Sequence, residues 1–166
     1  SCSLWRAGNH ISWPLNQQTE PIVKPLLGWY DEGDPVVFDW QVKWLVEHGV
    51  STIMYCWYRP DVGAIPIKET MQSDELWQGH FGSRYGEYLD FALQFTNAQF
   101  SVYGPDDFKQ NLVPHWIETF FKNPNYLKTS DNEPIIYFYD PTWFRTEIGD
   151  FDGDGNAGTN ADVQAA

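Results

Sequence analysis

The sequence has 166 residues, enough for one domain with a real hydrophobic core. Aromatic residues make up 17% of it, and a formal net charge of −13 repels phosphate backbones and anionic lipid, so nucleic acid and membrane surfaces are poor partners. No apolar run is long enough to span a bilayer. The aromatic rings fill cores, and their flat faces also stack on sugars; composition alone leaves both uses open. A neutral polyhydroxylated ligand is compatible with the charge, as is plain solubility. The two cysteines, Cys2 and Cys56, have no zinc-type spacing. Cys56 lies in an apolar run and is expected as a buried thiol, and a Cys2–Cys56 disulfide is left open. The chain begins without an initiator Met or a signal peptide, so part of the native N-terminus is expected to have been removed.

Residues 1–24 place Trp5, His10 and Trp13 among polar residues and read as irregular. Lys24 to Tyr30 is apolar but broken by Pro25 and Gly28, a loop or short extended piece. Asp31, Glu32 and Asp34 then form an acidic loop. Asp34-Pro35 starts a helix: the carboxylate caps free N–H groups and Pro suits the first helical position. Val37, Trp40, Trp44 and Leu45 share one face of it, and Gly49 ends it. Residues 52–58 are short, apolar and rich in β-branched and aromatic side chains, which predicts a buried strand of a parallel sheet. A long loop with about one helical turn covers 63–83, helix continuing to about Tyr88, and 91–96 predicts the next strand, with Asn97 at its end.

Gly104-Pro105-Asp106-Asp107 starts another helix. Its rows Phe108, Leu112, Trp116, Phe120 and Val113, Ile117, Phe121 make a wide apolar stripe, with a kink or restart expected at Pro114. Asn123-Pro124-Asn125 closes it, and 135–139 predicts a third strand, followed by Asp140-Pro141. Helices alternating with strands mean an α/β fold with parallel strands and right-handed crossovers. Both a doubly wound sheet and a barrel satisfy that order. The absence of a GxGxxG or phosphate-loop motif after any strand argues against a nucleotide-binding sheet.

In a barrel the working residues lie at the C-terminal ends of strands. Those ends carry Trp57, Tyr58 and Arg59, then Asn97, then Tyr139 and Asp140. Trp57, Tyr58 and Tyr139 could stack on sugar; Asn97 and Asp140 could bind hydroxyls, and an Asp could act as acid, base or charge stabiliser. Trp57 and Tyr58 point to opposite faces, so at most one faces the mouth. Asp140 before Pro141 is equally a turn pair, Asn97 equally a cap, and Asp34 a cap rather than a catalyst.

The segments Lys24 to Pro35, Trp40 to Trp44, His48-Gly49-Val50, Tyr55 to Tyr58, Ser83 to Gly86, Asn123 to Lys128 and Glu133 to Tyr137 occur in one order. Together they resemble the glycoside hydrolase family 99-like domain, a group with endo-mannosidase-type hydrolases and WbsX-like glycosyltransferases, over roughly residues 20–145. The resemblance implies a (β/α)8 TIM-type barrel, a glycan substrate or ligand of mannoside type, and paired catalytic carboxylates in a later Trp/Glu-rich part. The last Glu is Glu147, so no catalytic residue is carried over. The chain is therefore expected to hold a partial barrel over residues 1–148, a fragment with open sheet edges that favour self-association.

Residues 149–166 are expected as a separate segment. Asp150, Asp152 and Asp154 followed by Gly155 have the D-x-D-x-D-G start of a calcium loop, with the Asn156 carbonyl and Asp162 as further ligands to Ca2+. The twelfth position is Ala161, so the acid falls one residue late. The segment resembles truncated dockerin-type repeats of secreted bacterial proteins, which implies an extracellular location; a flexible acidic tail is the plain alternative. Three functions remain: a glycoside hydrolase-like domain with its catalytic half absent, a non-catalytic glycan-binding or anchoring module, and an inactive structural remnant.

Overall fold

The computed structural model describes residues 25–28, 30–31, 33–59, 61, 63–67, 75–97 and 101–166. The irregular reading of 1–24, Cys2 with its disulfide, and Trp29 and Glu32 of the resembling segment lie outside the described residues. The chain divides into two units, Ser1–Tyr55 with Met71–Asp90 and Cys56–Thr70 with Phe91–Ala166.

In the first unit helix α1 spans Pro35–Glu47. Asp34 caps it as expected, its Oδ1 accepting the Val36 N–H at 2.8 Å. The buried face is not the expected one. Phe38, Asp39 and Val42 are buried, whereas Trp40 is 46% exposed and Val37, Trp44 and Leu45 are half-buried. Phe38 and Val42 stand one turn apart and face the core together, and Phe38 stacks on His80 at 4.9 Å. The Trp40 and Trp44 rings pair instead with each other along the outer face, 5.9 Å apart.

His80 closes a π-helical turn, Glu75–His80. Its Nε2–H donates to the Gly86 carbonyl (2.9 Å) and its Nδ1 faces the Tyr55 hydroxyl (3.2 Å). Gly86 opens a short 3-10 turn, Gly86–Tyr88. A Cβ there would stand 2.4 Å from the His80 carbonyl oxygen, so only glycine permits this approach. Asp39, buried, accepts from the Ser83 hydroxyl (2.6 Å), the Arg84 N–H (2.9 Å) and Arg84 Nε (3.1 Å). The Ser83 bond leads, and despite burial these donors hold the Asp39 carboxyl below its ordinary range.

Strands β1 (Thr52–Trp57), β2 (Asp90–Phe95) and β3 (Ile136–Phe138) form one sheet in the order β1-β2-β3. β2 and β3 are parallel, with Leu93 opposite Ile136 and Phe95 opposite Phe138. Asp90 N–H bonds to Ser51 O and Thr96 N–H to Trp57 O, so β1 and β2 also run the same way. The fold is therefore α/β with a parallel sheet, as the alternation of elements predicts. β2 is the central strand and is buried over most of its length, with Phe91, Ala92, Leu93 and Phe95 at 1% exposure or less. β1 instead alternates: Tyr55 and Trp57 are buried, Met54 and Cys56 exposed. The expected buried thiol of Cys56 is thus corrected. A strand packed on one face sends every second side chain outward, and 56 is an outward position.

In the second unit a continuous helical segment, α2, covers 104–121. It alternates α stretches (Gly104–Asp107, Val113–Trp116) with π stretches (Phe108–Leu112, Ile117–Phe121). Pro114 does not break it. The hydrogen-bond pattern changes at Leu112, just before the proline, and αR backbone continues through Val113. Phe108, Leu112, Trp116 and Phe120 are all buried as expected; Ile117 of the second row is 40% exposed, so the stripe is narrower than the sequence implies. Trp57, Phe95 and Trp116 form a triangle, with centroids 5.6 Å (Trp57–Phe95), 5.6 Å (Trp57–Trp116) and 5.2 Å (Phe95–Trp116) apart. Each such pair contributes about 0.5–1.5 kcal/mol beyond its buried area. Helices α3 (Pro141–Ile148) and α4 (Asn160–Ala165) complete the unit.

Burial lowers the His80 pKa, and the carbonyls of Gly86 and Leu89 and the charge of Asp90 oppose it only in part. The unfolded chain therefore binds this proton more readily than the native one. The contribution is fully present above the unfolded histidine value and is lost as pH falls through the lower native value. Urea unfolding followed from about pH 7.5 to about 5 should show stability falling in that window. His80→Gln should flatten this part of the slope; an unchanged slope would contradict the assignment.

Candidate functional site

The C-terminal ends of the strands in the second unit hold all the residues that strand position nominates. The structure divides them. Trp57 is 2% exposed and belongs to the core triangle. Asn97 is also buried, and its amide replaces backbone: Nδ2 donates to the Asp140 carbonyl (2.6 Å), while Oδ1 accepts the Asp140 N–H (2.9 Å). Asp140 Oδ1 accepts from Thr142 and Trp143 N–H at 2.8 and 3.1 Å, capping α3. Tyr58 is half-buried. Tyr139 is 67% exposed, and two further rings stand on the same edge of the sheet by topology. Tyr103, in the connection from β2 to α2, is 79% exposed, and Trp143, in the first turn of α3, is 37% exposed. Neither was nominated by strand position. The Asp-Pro start of α3 is the signal that could have found Trp143; Tyr103 precedes a Gly-Pro helix start.

The carboxylates of this edge are engaged. Arg59 forks onto Asp107, Nη1 to Oδ2 at 2.6 Å and Nη2 to Oδ1 at 2.9 Å, with both side chains nearly inaccessible. Tyr103 N–H and Asn111 Nδ2 complete the Asp107 shell at 3.0 and 2.7 Å. Burial works against the charged form of Asp107, but the guanidinium and these donors outweigh it and hold the carboxyl below its ordinary range. Arg59 Nε and the indole N–H groups of Trp57 and Trp116 are buried and have no hydrogen-bond partner among the described residues. Glu147, on α3, accepts from the N–H groups of Ser101 and Val102 through Oε2, at 3.0 and 2.8 Å.

The nominated calcium ligands are only partly gathered. Asp150, Asp152 and Asp162 each place one carboxylate oxygen within 4.8 Å of the others. Asp154 is exposed and stays outside that trio; its Oδ1 accepts the Asn156 N–H at 2.7 Å. Asp150 Oδ2 accepts from Gly155 at 3.0 Å, and Asp150 Oδ1 is buried with no partner among the described residues. Gly155 has φ 89°, in the left-handed region. Asp162 is fully buried. Its Oδ2 takes the N–H and hydroxyl of Thr159 in a capping box for α4, and its Oδ1 takes the Phe151 and Asp152 N–H groups. Burial raises its pKa, but these donors, Thr159 first, keep the carboxyl below its ordinary range. The extra residue before Asp162 thus places it at the third helical position, where capping uses it. Phe151 packs on Phe108, with Lys109 Nζ 3.8 Å from the Phe151 ring centre, so residues 149–166 group with the second unit.

No protein-family model matches the chain, and no curated protein does. Among solved structures, the chain is similar to the GH99 endo-alpha-mannosidase from Bacteriodes thetaiotaomicron, determined in complex with BIS-TRIS-propane. Identity is 16% and the TM-score 0.49, over 74% of this chain and 36% of that one, so the chain spans about a third of that protein.

Arg59→Met should cost about 3–5 kcal/mol of stability, since it strands a buried carboxylate. Asp107→Asn added to it should recover part of that loss. Urea unfolding of both variants measures this. With Arg59 present, the native pKa of Asp107 is depressed, so its contribution holds above the unfolded carboxylate value and disappears as pH falls through the native one.

Proposed function

We propose that this chain is a carbohydrate-active piece of a (β/α)-barrel of glycosidase type, which engages a neutral, mannoside-type glycan along the C-terminal ends of its strands. The observation that carries this reading is a contrast on one edge. Tyr103, Tyr139 and Trp143 are exposed there, while Asp107 and Asp140 are occupied by Arg59 and by the cap of α3. Rings free to stack beside carboxylates already engaged suit binding better than hydrolysis. A glycosidase needs two carboxyl groups flanking the bond, about 5–9.5 Å apart. In this reading that pair comes from another part of the barrel, and the described residues supply binding alone. β1 and β3 are the outer strands of the sheet among the described residues, which supports self-association as a further part of the proposal. No helix among the described residues is long and apolar enough to cross a membrane.

A second reading, an anchoring module with a calcium-dependent tail and an extracellular location, is favoured by the buried, unpartnered Asp150 Oδ1 beside Asp152 and Asp162. The donor set fits a hard cation in part: three carboxylates converge, and Asp162 is already shared with four N–H and O–H donors. Ca2+ held there would neutralise the converging charges and tie α3 to α4.

Isothermal titration with α-mannobiose should show weak binding without release of reducing ends. Tyr139→Ala should weaken it about tenfold, or 1.4 kcal/mol. Turnover by the chain alone would overturn the division between binding and catalysis. Calcium at about 1 mM should raise the melting temperature relative to chelator, and Asp150→Asn with Asp152→Asn should abolish the rise. No heat and no shift with calcium would remove the metal site.

A further inference from the structure

The first unit contains a cavity of about 460 Å³ between α1 and the Arg84–Tyr88 turn. Its size lies in the range of small-molecule sites. Val36, Val42 and Val46 give it an apolar wall, and Trp40, Tyr85 and Tyr88 stand around it at 46, 47 and 63% exposure. Every charge among the described lining residues is paired inside the lining. Lys43 Nζ meets Glu47 Oε1 at 2.5 Å, and Arg84 Nε meets Asp39 Oδ2 at 3.1 Å. Arg84 also lies over the Tyr85 ring, 5.9 Å from its centre.

These features restrict the occupant. The two ion pairs cancel, so neither an anion nor a cation gains a net attraction there. A hydrocarbon would cover the exposed charged heads of Lys43, Glu47 and Arg84 and return no hydrogen bond to them, which is costly. What fits is a neutral ring with an apolar face for the aromatic side chains and hydroxyls at its edge for Arg84, Lys43 and Glu47. We propose that this cavity is a second saccharide site, for a neutral pyranoside, between α1 and the Arg84–Tyr88 turn and independent of the strand-end reading above.

The test is NMR titration of the Trp40 indole N–H in the full chain, with α-mannobiose, cellobiose and lactose as neutral probes and glucuronate as the anionic one. At least one neutral disaccharide should shift Trp40 saturably at about millimolar concentration, and glucuronate should not. Tyr88→Ala, at an exposed position, should weaken the response about tenfold. Tyr139→Ala should leave it unchanged, and the Trp143 indole reports the strand-end site separately. Glu47→Gln leaves the rim with one net positive charge, so glucuronate should then shift Trp40. The absence of a saturable Trp40 response to every neutral probe would overturn the proposal. So would equal responses to neutral and anionic sugars in the unmodified chain, or a glucuronate response that Glu47→Gln does not create.

Discussion

The ring of Trp57 is the contact on which the second unit depends. It stands at the end of β1 and touches Phe95 of β2 and Trp116 of α2, so one side chain joins two strands and the helix between β2 and β3. Each neighbour extends the network: Phe95 reaches Phe138 of β3 at 6.0 Å, and Trp116 reaches Phe108 at 6.0 Å, which in turn meets Phe144 at 5.4 Å. A residue holding three elements together cannot also lie open to a ligand. The aromatic wealth of the sequence is therefore spent in layers. Buried rings set the positions of the strand ends, and Tyr103, Tyr139 and Trp143 remain outside on those ends.

The same economy governs charge. Asp39, Asp107 and Asp162 are buried carboxylates, and each takes donors on both oxygens. Asp107 and Asp162 organise the start of a helix, Asp107 through the Tyr103 N–H ahead of α2 and Asp162 through the capping box of α4. Asp39 fastens the Ser83–Arg84 turn to α1. In a chain with a net charge of −13, these groups are fixed as anions by local donors.

Much of the framework was legible in the sequence because local signals and tertiary packing agree. Asp34-Pro35 announces α1, the row from Phe108 to Phe120 announces the buried face of α2, and the apolar runs announce all three strands. What was not legible depends on partners distant in sequence. Asp140-Pro141 is the same start signal as Asp34-Pro35, yet it follows a strand directly and reads as a turn; the helix it opens becomes clear only with Phe144 packed on Phe138 at 4.2 Å. The buried face of α1 rotates toward Phe38 because His80, far along the chain, supplies the flat surface it stacks on. Cys56 and Trp57 are neighbours with opposite fates, and hydropathy cannot tell which of two adjacent apolar residues faces inward. For the candidate site, strand-end position nominates Tyr139, Asn97 and Asp140, but whether each residue binds outward or builds inward is a matter of contacts.

The bond pair between Asn97 and Asp140 has a consequence for how the sheet resists misassembly. Parallel neighbours are held by evenly spaced backbone bonds, which a slide along the strand can partly re-form. A side-chain amide bonded to both the N–H and the carbonyl of one residue adds two bonds that a slide by one position breaks. If β3 slipped by one position, the amide would meet the wrong pair of groups, Tyr137 and Phe138 would exchange faces, and the cap on α3 would shift with Asp140. A three-residue strand carries too few backbone bonds to choose its own alignment. Asn97 adds to that choice, together with the packing of Phe138 on Phe95 and Phe144.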